Sequence, residues 1–326
     1  SENIKHICTL CKIDYDESFI TVLNWLKIED VKLYPVMVDF ENCKLIAIEN
    51  KESIKKFDSL VGDECQDFTA LELNFLLASL NVNGRLILVG DEKQSINGFR
   101  GADYKSVENI RKILNPAEFE LTITFRQPKN HAEALNNKYG LNIQSSKEDG
   151  LMEVIKDTEF IQSIMTKDES LTVCRNNAPM VEFVFQLLLN NVGAVIRGKE
   201  IKEDLINDAM QIKNKYNVND NDISGFIKAC ELHIESLYKK YAEAKNKSFI
   251  AVIEDRIEVL KVLCNRSDTI TQICKNIYKL FASESAKHVF STIHKAKGEE
   301  CKVVYLLHPE LLPSPKAETE DEKQQE

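Results

Sequence analysis

Leu86-Ile-Leu-Val89-Gly90-Asp91-Glu-Lys-Gln94-Ser95-Ile-Asn97-Gly98-Phe99-Arg100-Gly101-Ala-Asp103 is the stretch that decides the fold class. Its four opening apolar residues read as a short strand, Gly90 lets the chain turn sharply off that strand, and Asp91 places an acid in the turn. The same order stands upstream. The apolar pair Leu60-Val61 runs into Asp63-Glu64-Cys65-Gln66-Asp67, and Phe68 to Leu80 follows with Leu71, Phe75 and Leu76 at helical spacing. Strand, acidic turn, helix, strand, acidic turn predicts α/β structure with a mostly parallel sheet from about Leu60 to Ile113.

Strand candidates recur at Glu120 to Thr124, Leu151 to Ile155, Leu171 to Cys174 and Ala194 to Ile196, and again at His288 to Ile293 and Lys302 to Leu307. Between Ile201 and Ala286 they give way to amphipathic helices, one of which sets Phe226, Ile227, Cys230, Ile234, Leu237 and Tyr241 on a single face. A helical insertion in a second α/β region is expected, hinged near Gly198 and near Ser283 to Ser285. No repeat of fixed period occurs.

The 326 residues are 43% hydrophobic and 29% charged, a balance that excludes disordered and fibrous classes. No apolar run approaches the roughly 20 residues that span a bilayer. Nine scattered cysteines fit reduced thiols in a cytosolic or nuclear compartment better than a disulfide scaffold. A net charge of −10 excludes a basic blanket over duplex DNA, but leaves room for a narrow groove that grips a few phosphates and stacks bases. Ser1 opens the chain without a methionine and the segment from Pro309 to Glu326 is rich in proline and acids, so both ends are expected to be cut.

The densest chemistry lies in the two acidic turns. Adjacent carboxylates at a strand's carboxyl end occupy the crevice where open α/β sheets bind ligands. Of Asp63 and Glu64, one can hold Mg²⁺ through water while the other polarises an attacking water; an isolated pair of this kind is more often a solvated turn. Gln94 can both donate to and accept from a phosphate or water, and Phe99 with Arg100 between glycines suits base stacking beside a phosphate contact. His6, Cys8, Cys11 and Cys43 make a structural zinc site conceivable, although no second CxxC is present.

Taken together, the motifs resemble those of the UvrD/Rep-type DNA helicases of superfamily one. DECQD at 63–67 is similar to that family's DExQD segment and VGDEKQSINGFRGAD at 89–103 to its VGDxxQSIYxFRGAD segment. Leu121-Thr-Ile-Thr-Phe-Arg126, Leu171-Thr-Val-Cys-Arg175-Asn-Asn-Ala178 and Ser291-Thr292-Ile-His294-Lys-Ala-Lys297-Gly298-Glu299-Glu300 resemble three later motifs, in the family's order. HICTLC at 6–11 is similar to the T-I-H-S-L-C segment that precedes them.

The resemblance implies two RecA-like lobes, both incomplete. Residues 1–115 would be the first, 116–200 and 286–326 the second, and 201–285 a small helical insertion. It implies ATP and Mg²⁺ as cofactors, with Asp63 on the metal, Glu64 activating water, Gln66 and Gln94 sensing the γ-phosphate, and Arg126 as an arginine finger. Glu300 would reach the ribose, Gly298 and Lys297 would border the nucleotide, and Phe99, Arg100, Thr292 and His294 would contact single-stranded DNA. ATP hydrolysis would then drive 3′ to 5′ movement on that strand, in the cytoplasm, nucleoid or a viral replication site.

Several features depart from the family pattern. The GxxxxGK[ST] phosphate loop is absent, the only Gly-Lys pair being Gly198-Lys199, and so is the final V-A-x-T-R-A segment. Gly62 replaces an apolar strand residue, Thr124-Phe125 replaces Asn-Tyr, Asn97 a tyrosine and Glu299 a leucine, the last adding a negative charge beside an anionic cleft. A degenerate helicase-like module that binds DNA or protein without turnover is the competing reading, and the helicase half of a helicase-nuclease is a third.

Overall fold

The computed structural model describes residues 44, 48, 54–96, 105–241, 248–281 and 286–313. They fall into two compact units that divide between Ala117 and Glu118. No helix among the described residues is long and apolar enough to cross a membrane.

In the first unit, β1 (Phe57–Gly62) pairs in parallel with β2 (Leu80–Leu88), setting Leu60 beside Leu86 and Gly62 beside Leu88. Helix α1 (Ala70–Ala78) connects them and starts at a capping box: the Thr69 hydroxyl accepts from the Glu72 N–H at 3.2 Å and the Glu72 carboxylate accepts from the Thr69 N–H at 2.9 Å. Helix α2 (Ser106–Leu114) adds Ile110 to a small core with Cys65 and Leu73, against which Phe68 and Leu88 pack. Gly62 has a packing reason: a Cβ there would lie 2.7 Å from Leu88 Cδ2 and 3.0 Å from the Phe68 ring, so the strand residue gives way to that ring.

The second unit holds a short parallel pair, β3 (Ile123–Thr124) with β4 (Gln144–Ser145), joined by α3 (Lys129–Tyr139). Its main sheet has four parallel strands in the order β6-β7-β5-β8: β5 (Ser170–Cys174), β6 (Ala194–Ile196), β7 (His288–Thr292) and β8 (Val304–Leu306). Helices α4 (Asp157–Met165) and α5 (Ala178–Leu189) flank it. The regular elements described from 199 to 280 are helices: α6 (Lys199–Lys215), α7 (Ile223–Lys240), α8 (Ser248–Cys264) and α9 (Ile270–Leu280). These four have no core of their own. Leu205, Phe226, Leu260 and Ile277 share one buried cluster with Val184 of α5 and Phe290 of β7. The α7 stripe is inward as the periodicity requires, with Phe226 and Cys230 fully buried and Ile227 and Ile234 packed against the cluster.

Leu151 to Ile155 is not a strand. Leu151 is 74% exposed and Val154 fully so, and only Ile155 packs on the core, so the run has neither a strand partner nor a buried face. The Glu120 to Thr124 candidate shrinks to Ile123–Thr124, whereas the Leu86 strand begins earlier, at Leu80.

Candidate active site

Because β1 and β2 are parallel neighbours, their carboxyl ends deliver the two acidic turns side by side. The Val89 N–H donates to the Gly62 carbonyl at 2.8 Å and the Cys65 N–H to the Val89 carbonyl at 2.9 Å, which carries the pairing past the strands into the turns. Glu64 then adopts φ 53°, ψ 41°, a left-handed conformation that a residue with a Cβ occupies at a cost of about 1–2 kcal/mol. A short 3₁₀ turn, Cys65–Asp67, follows it, and Asp63 and Glu64 both face solvent.

Gln66 joins the turns. It is 1% exposed, its Nε2 donates to Glu64 Oε2 at 2.5 Å, and its Oε1 accepts from the Asp91 N–H at 3.0 Å. Gly90 is what admits this amide, since a Cβ there would stand 2.5 Å from Gln66 Oε1 and 2.7 Å from Cys65 Sγ. Asp91 in turn accepts from Gln94 Nε2 at 2.8 Å and from the Lys93 N–H at 3.0 Å, capping the 3₁₀ turn that carries Gln94. The Ser106 hydroxyl donates to the Cys65 carbonyl at 2.8 Å, tying α2 to the same turn. Burial pushes the Cys65 thiol up, a backbone hydrogen bond partly offsets this, and the carboxylates of Asp63, Glu64 and Glu92 push it further, which disfavours the thiolate.

No cluster of three or more metal-ligating side chains that could hold an ion occurs among the described residues. The exposed oxygens of Asp63 and Glu64 fit Mg²⁺ in its usual mode, in which one or two carboxylates share the ion with waters and phosphates.

In the second unit, register places Cys174 opposite Thr292, so the segments Arg175–Asn177 and Thr292–His294 leave neighbouring strands at the same sheet edge. Asp255 of α8 fixes the first of them. Its carboxylate accepts from the Asn177 N–H at 3.0 Å, from Asn177 Nδ2 at 2.7 Å and from the Ala178 N–H at 3.4 Å, capping α5 from 78 residues away. Thr292 and His294 are half-buried at the start of α10 (Ile293–Ala296), and Gly298 turns with φ 83°.

Arg126 and Glu300 form an ion pair on a hollow of about 420 Å³ that Leu121, Ile123, Thr124, Phe125 and Ile143 also line. Phe125 is 74% exposed there. Glu299, the departure that adds negative charge, is paired with Arg197, the residue that follows β6. Three features escaped the sequence reading: the bridging place of Gln66, the Asp255 cap and the Arg197 partner. None is local in sequence, and no spacing rule exposes them. Phe99, Arg100, His6, Cys8, Cys11, Cys43 and residues 283–285 lie outside the described residues.

Residues 26–115 match the model of the UvrD/REP helicase N-terminal domain. That stretch contains both acidic turns, while the Arg126, Arg175 and Thr292 motifs lie beyond it. Among curated proteins, DNA helicase II of Escherichia coli strain K12 is 33% identical over 108 residues, 31% of this chain and 14% of that protein. DNA helicase II of Salmonella typhimurium matches to the same extent, and that of Haemophilus influenzae is 32% identical over 82 residues, 25% of this chain and 10% of that protein. The chain thus spans about a seventh of the length of the relatives it matches. Over residues 26–115, the chain is similar to the N-terminal domain of UvrD/REP helicases.

Proposed function

We propose that this chain is core sequence of an ATP-dependent DNA helicase or translocase that uses Mg²⁺ and moves 3′ to 5′ along single-stranded DNA. The observation that carries the proposal is the buried Gln66 amide, which holds Glu64 and the Asp91–Gln94 turn in one fixed arrangement at adjacent strand ends. A solvated acidic turn has no use for such a bridge. In the proposed roles, Asp63 holds Mg²⁺, Glu64 orients water, Gln94 and the bridged Gln66 respond to the γ-phosphate, and Arg126 supplies charge to it. Bound ATP with Mg²⁺ would supply the transferable phosphoryl group and its charge neutralisation. The two units are read as parts of two RecA-like lobes, with 201–285 as an insertion whose helices share the second lobe's core.

The hollow beside Arg126 suits a nucleoside: an exposed ring at Phe125 for the base and Glu300 as acceptor for ribose hydroxyls, with Gly298 proposed to border the nucleotide. Thr292 and His294, with Phe99 and Arg100, form the proposed single-strand grip, stacking and hydrogen bonding in place of a broad basic surface. Such an enzyme works in the cytoplasm, nucleoid or a viral replication site.

Fluorescence anisotropy with labelled oligo(dT) and a matched duplex tests the reading. We expect tighter binding to the single strand, weakened about tenfold or more in Phe99→Ala and His294→Ala, since a stacked base contributes roughly 1–3 kcal/mol. Equal affinity for duplex, or no affinity for either, rejects it. Single-strand binding that both substitutions leave intact rejects the proposed grip.

A further inference from the structure

The segment from Thr292 to Glu300 carries most of the motif residues of the second unit, and its exposed turn needs something to hold its direction. Its last two residues are adjacent glutamates, each with its own arginine: Glu300 pairs with Arg126, and Glu299 pairs with Arg197. Arg197 follows β6 directly, and its N–H donates to the Phe290 carbonyl of β7 at 2.8 Å, so its backbone is continuous with the sheet. A second contact lies one residue on. Gly198 sits at φ 137°, and a Cβ there would stand 2.9 Å from Lys295 Nζ, inside the same segment. The turn itself is closed by the Glu299 N–H donating to the Ala296 carbonyl at 3.0 Å, with Gly298 in the left-handed region. The end of β6 therefore touches this segment at Lys295, early in it, and at Glu299, near its close.

We propose that Arg197 is a positioning residue: by pairing with Glu299 it clips the 292–300 segment to the end of β6 and neutralises an acid that would otherwise face a bound polyanion. Two physical consequences support it. Glu299 and Arg197 side chains are 39% and 38% exposed, so water screens the pair only in part and an unpaired Glu299 would project a charge at short range. Adjacent residues on one turn also move together, so freeing Glu299 loosens Glu300 and the direction in which it meets Arg126. The inference rests on the single-strand and nucleotide reading given above, and it assigns a role to two residues that no helicase motif in this chain explains.

The test is oligo(dT) affinity by anisotropy at low salt in the 326-residue chain. We expect Arg197→Ala to weaken binding about five- to tenfold, Arg197→Lys to retain it within about threefold, and Arg197→Ala combined with Glu299→Leu to return within about twofold of wild type. Arg266→Ala is the control for loss of one positive charge, because Arg266 forms a similarly exposed pair with Glu182 away from these motifs; it should leave affinity unchanged. Circular dichroism melting of each variant separates a lost fold from a lost clip, and a misfolded Arg197→Ala is answered by Arg197→Glu with Glu299→Arg, which restores the pair with charges exchanged and should bind as wild type. Wild-type binding that Arg197→Ala leaves intact overturns the clip alone, as does a loss that neither second-site change rescues. Absence of wild-type binding overturns the reading beneath it as well.

Discussion

Replacing Gln66 by leucine removes both ends of the amide bridge while keeping most of the side-chain volume, so it isolates polar from packing effects. The Asp91 N–H loses a 3.0 Å acceptor in a partly buried setting, which costs about 1–3 kcal/mol. Glu64 loses a 2.5 Å donor, but its exposed carboxylate turns to water, so that loss falls at the low end of the range for charged hydrogen bonds. A net local destabilisation of about 2 kcal/mol follows, equivalent to roughly 30-fold faster opening of the Asp91 turn. Hydrogen exchange with mass spectrometry on peptides covering 89–96 reads this directly. The Val89 amide, held by the Gly62 carbonyl within the extended pairing, is the internal reference and should change little. Gln66→Glu goes further: it sets a second carboxylate against Glu64 in place of an amide donor, so this variant should open the turn more than Gln66→Leu does. Unchanged exchange at Asp91 in Gln66→Leu would refute the bridge and, with it, the fixed arrangement of the two turns.

Further expectations concern the second unit. Asp255→Ala strips the cap from α5 and should lower stability by about 1–2 kcal/mol in urea unfolding, with Asp255→Asn losing less; no change in midpoint would mean that water replaces the carboxylate freely. Burial holds His233 and His288 below the ordinary histidine value of 6.5, with Lys215 and Lys287 respectively adding to the effect. The unfolded chain then binds protons before the folded one does, so stability should fall as pH drops below 6.5 and be intact above it, and His288→Gln should flatten that slope in melting curves taken from pH 7.5 to 5. Gly198→Ala forces a Cβ into φ 137° beside Ile201 and should cost about 1–3 kcal/mol by thermal melting, whereas Gly193→Ala, which meets nothing within 4 Å, should cost less.

The parts of this molecule that could be read from its residues are those governed by local periodicity. Ala194–Ile196 stands where its apolar run ended, and the α7 stripe turns its predicted face inward. Periodicity failed where it needed a partner to be meaningful. Leu151 to Ile155 has strand composition but no neighbour to pair with, and β2 reaches back through Asn81, Asn83 and Gly84, polar and small residues that mask a strand until β1 is placed beside it. The position of the acidic turns was legible because short-range order puts them at strand ends. What links them was not, because Gln66 reaches Asp91 across 25 residues and Asp255 reaches Asn177 across 78. Glu299 shows the limit in another way: as a substitution for leucine it looked like added negative charge, and only the fold supplies Arg197 against it.

On the proposed reading, Asp63 and Glu64 serve metal and water and Thr292 and His294 the single strand, while the Gly-rich lysine loop that would fix the triphosphate is not in these 326 residues. Without that cradle the effective-molarity advantage of roughly 7–11 kcal/mol is largely lost. Phosphate release from MgATP, followed across an oligo(dT) titration with anisotropy read in the same samples, tests it most directly. The expected result is saturating oligo(dT) binding with release no faster than in Glu64→Gln at every DNA concentration; DNA-stimulated release that Glu64→Gln abolishes, or no binding of the oligonucleotide, would contradict it.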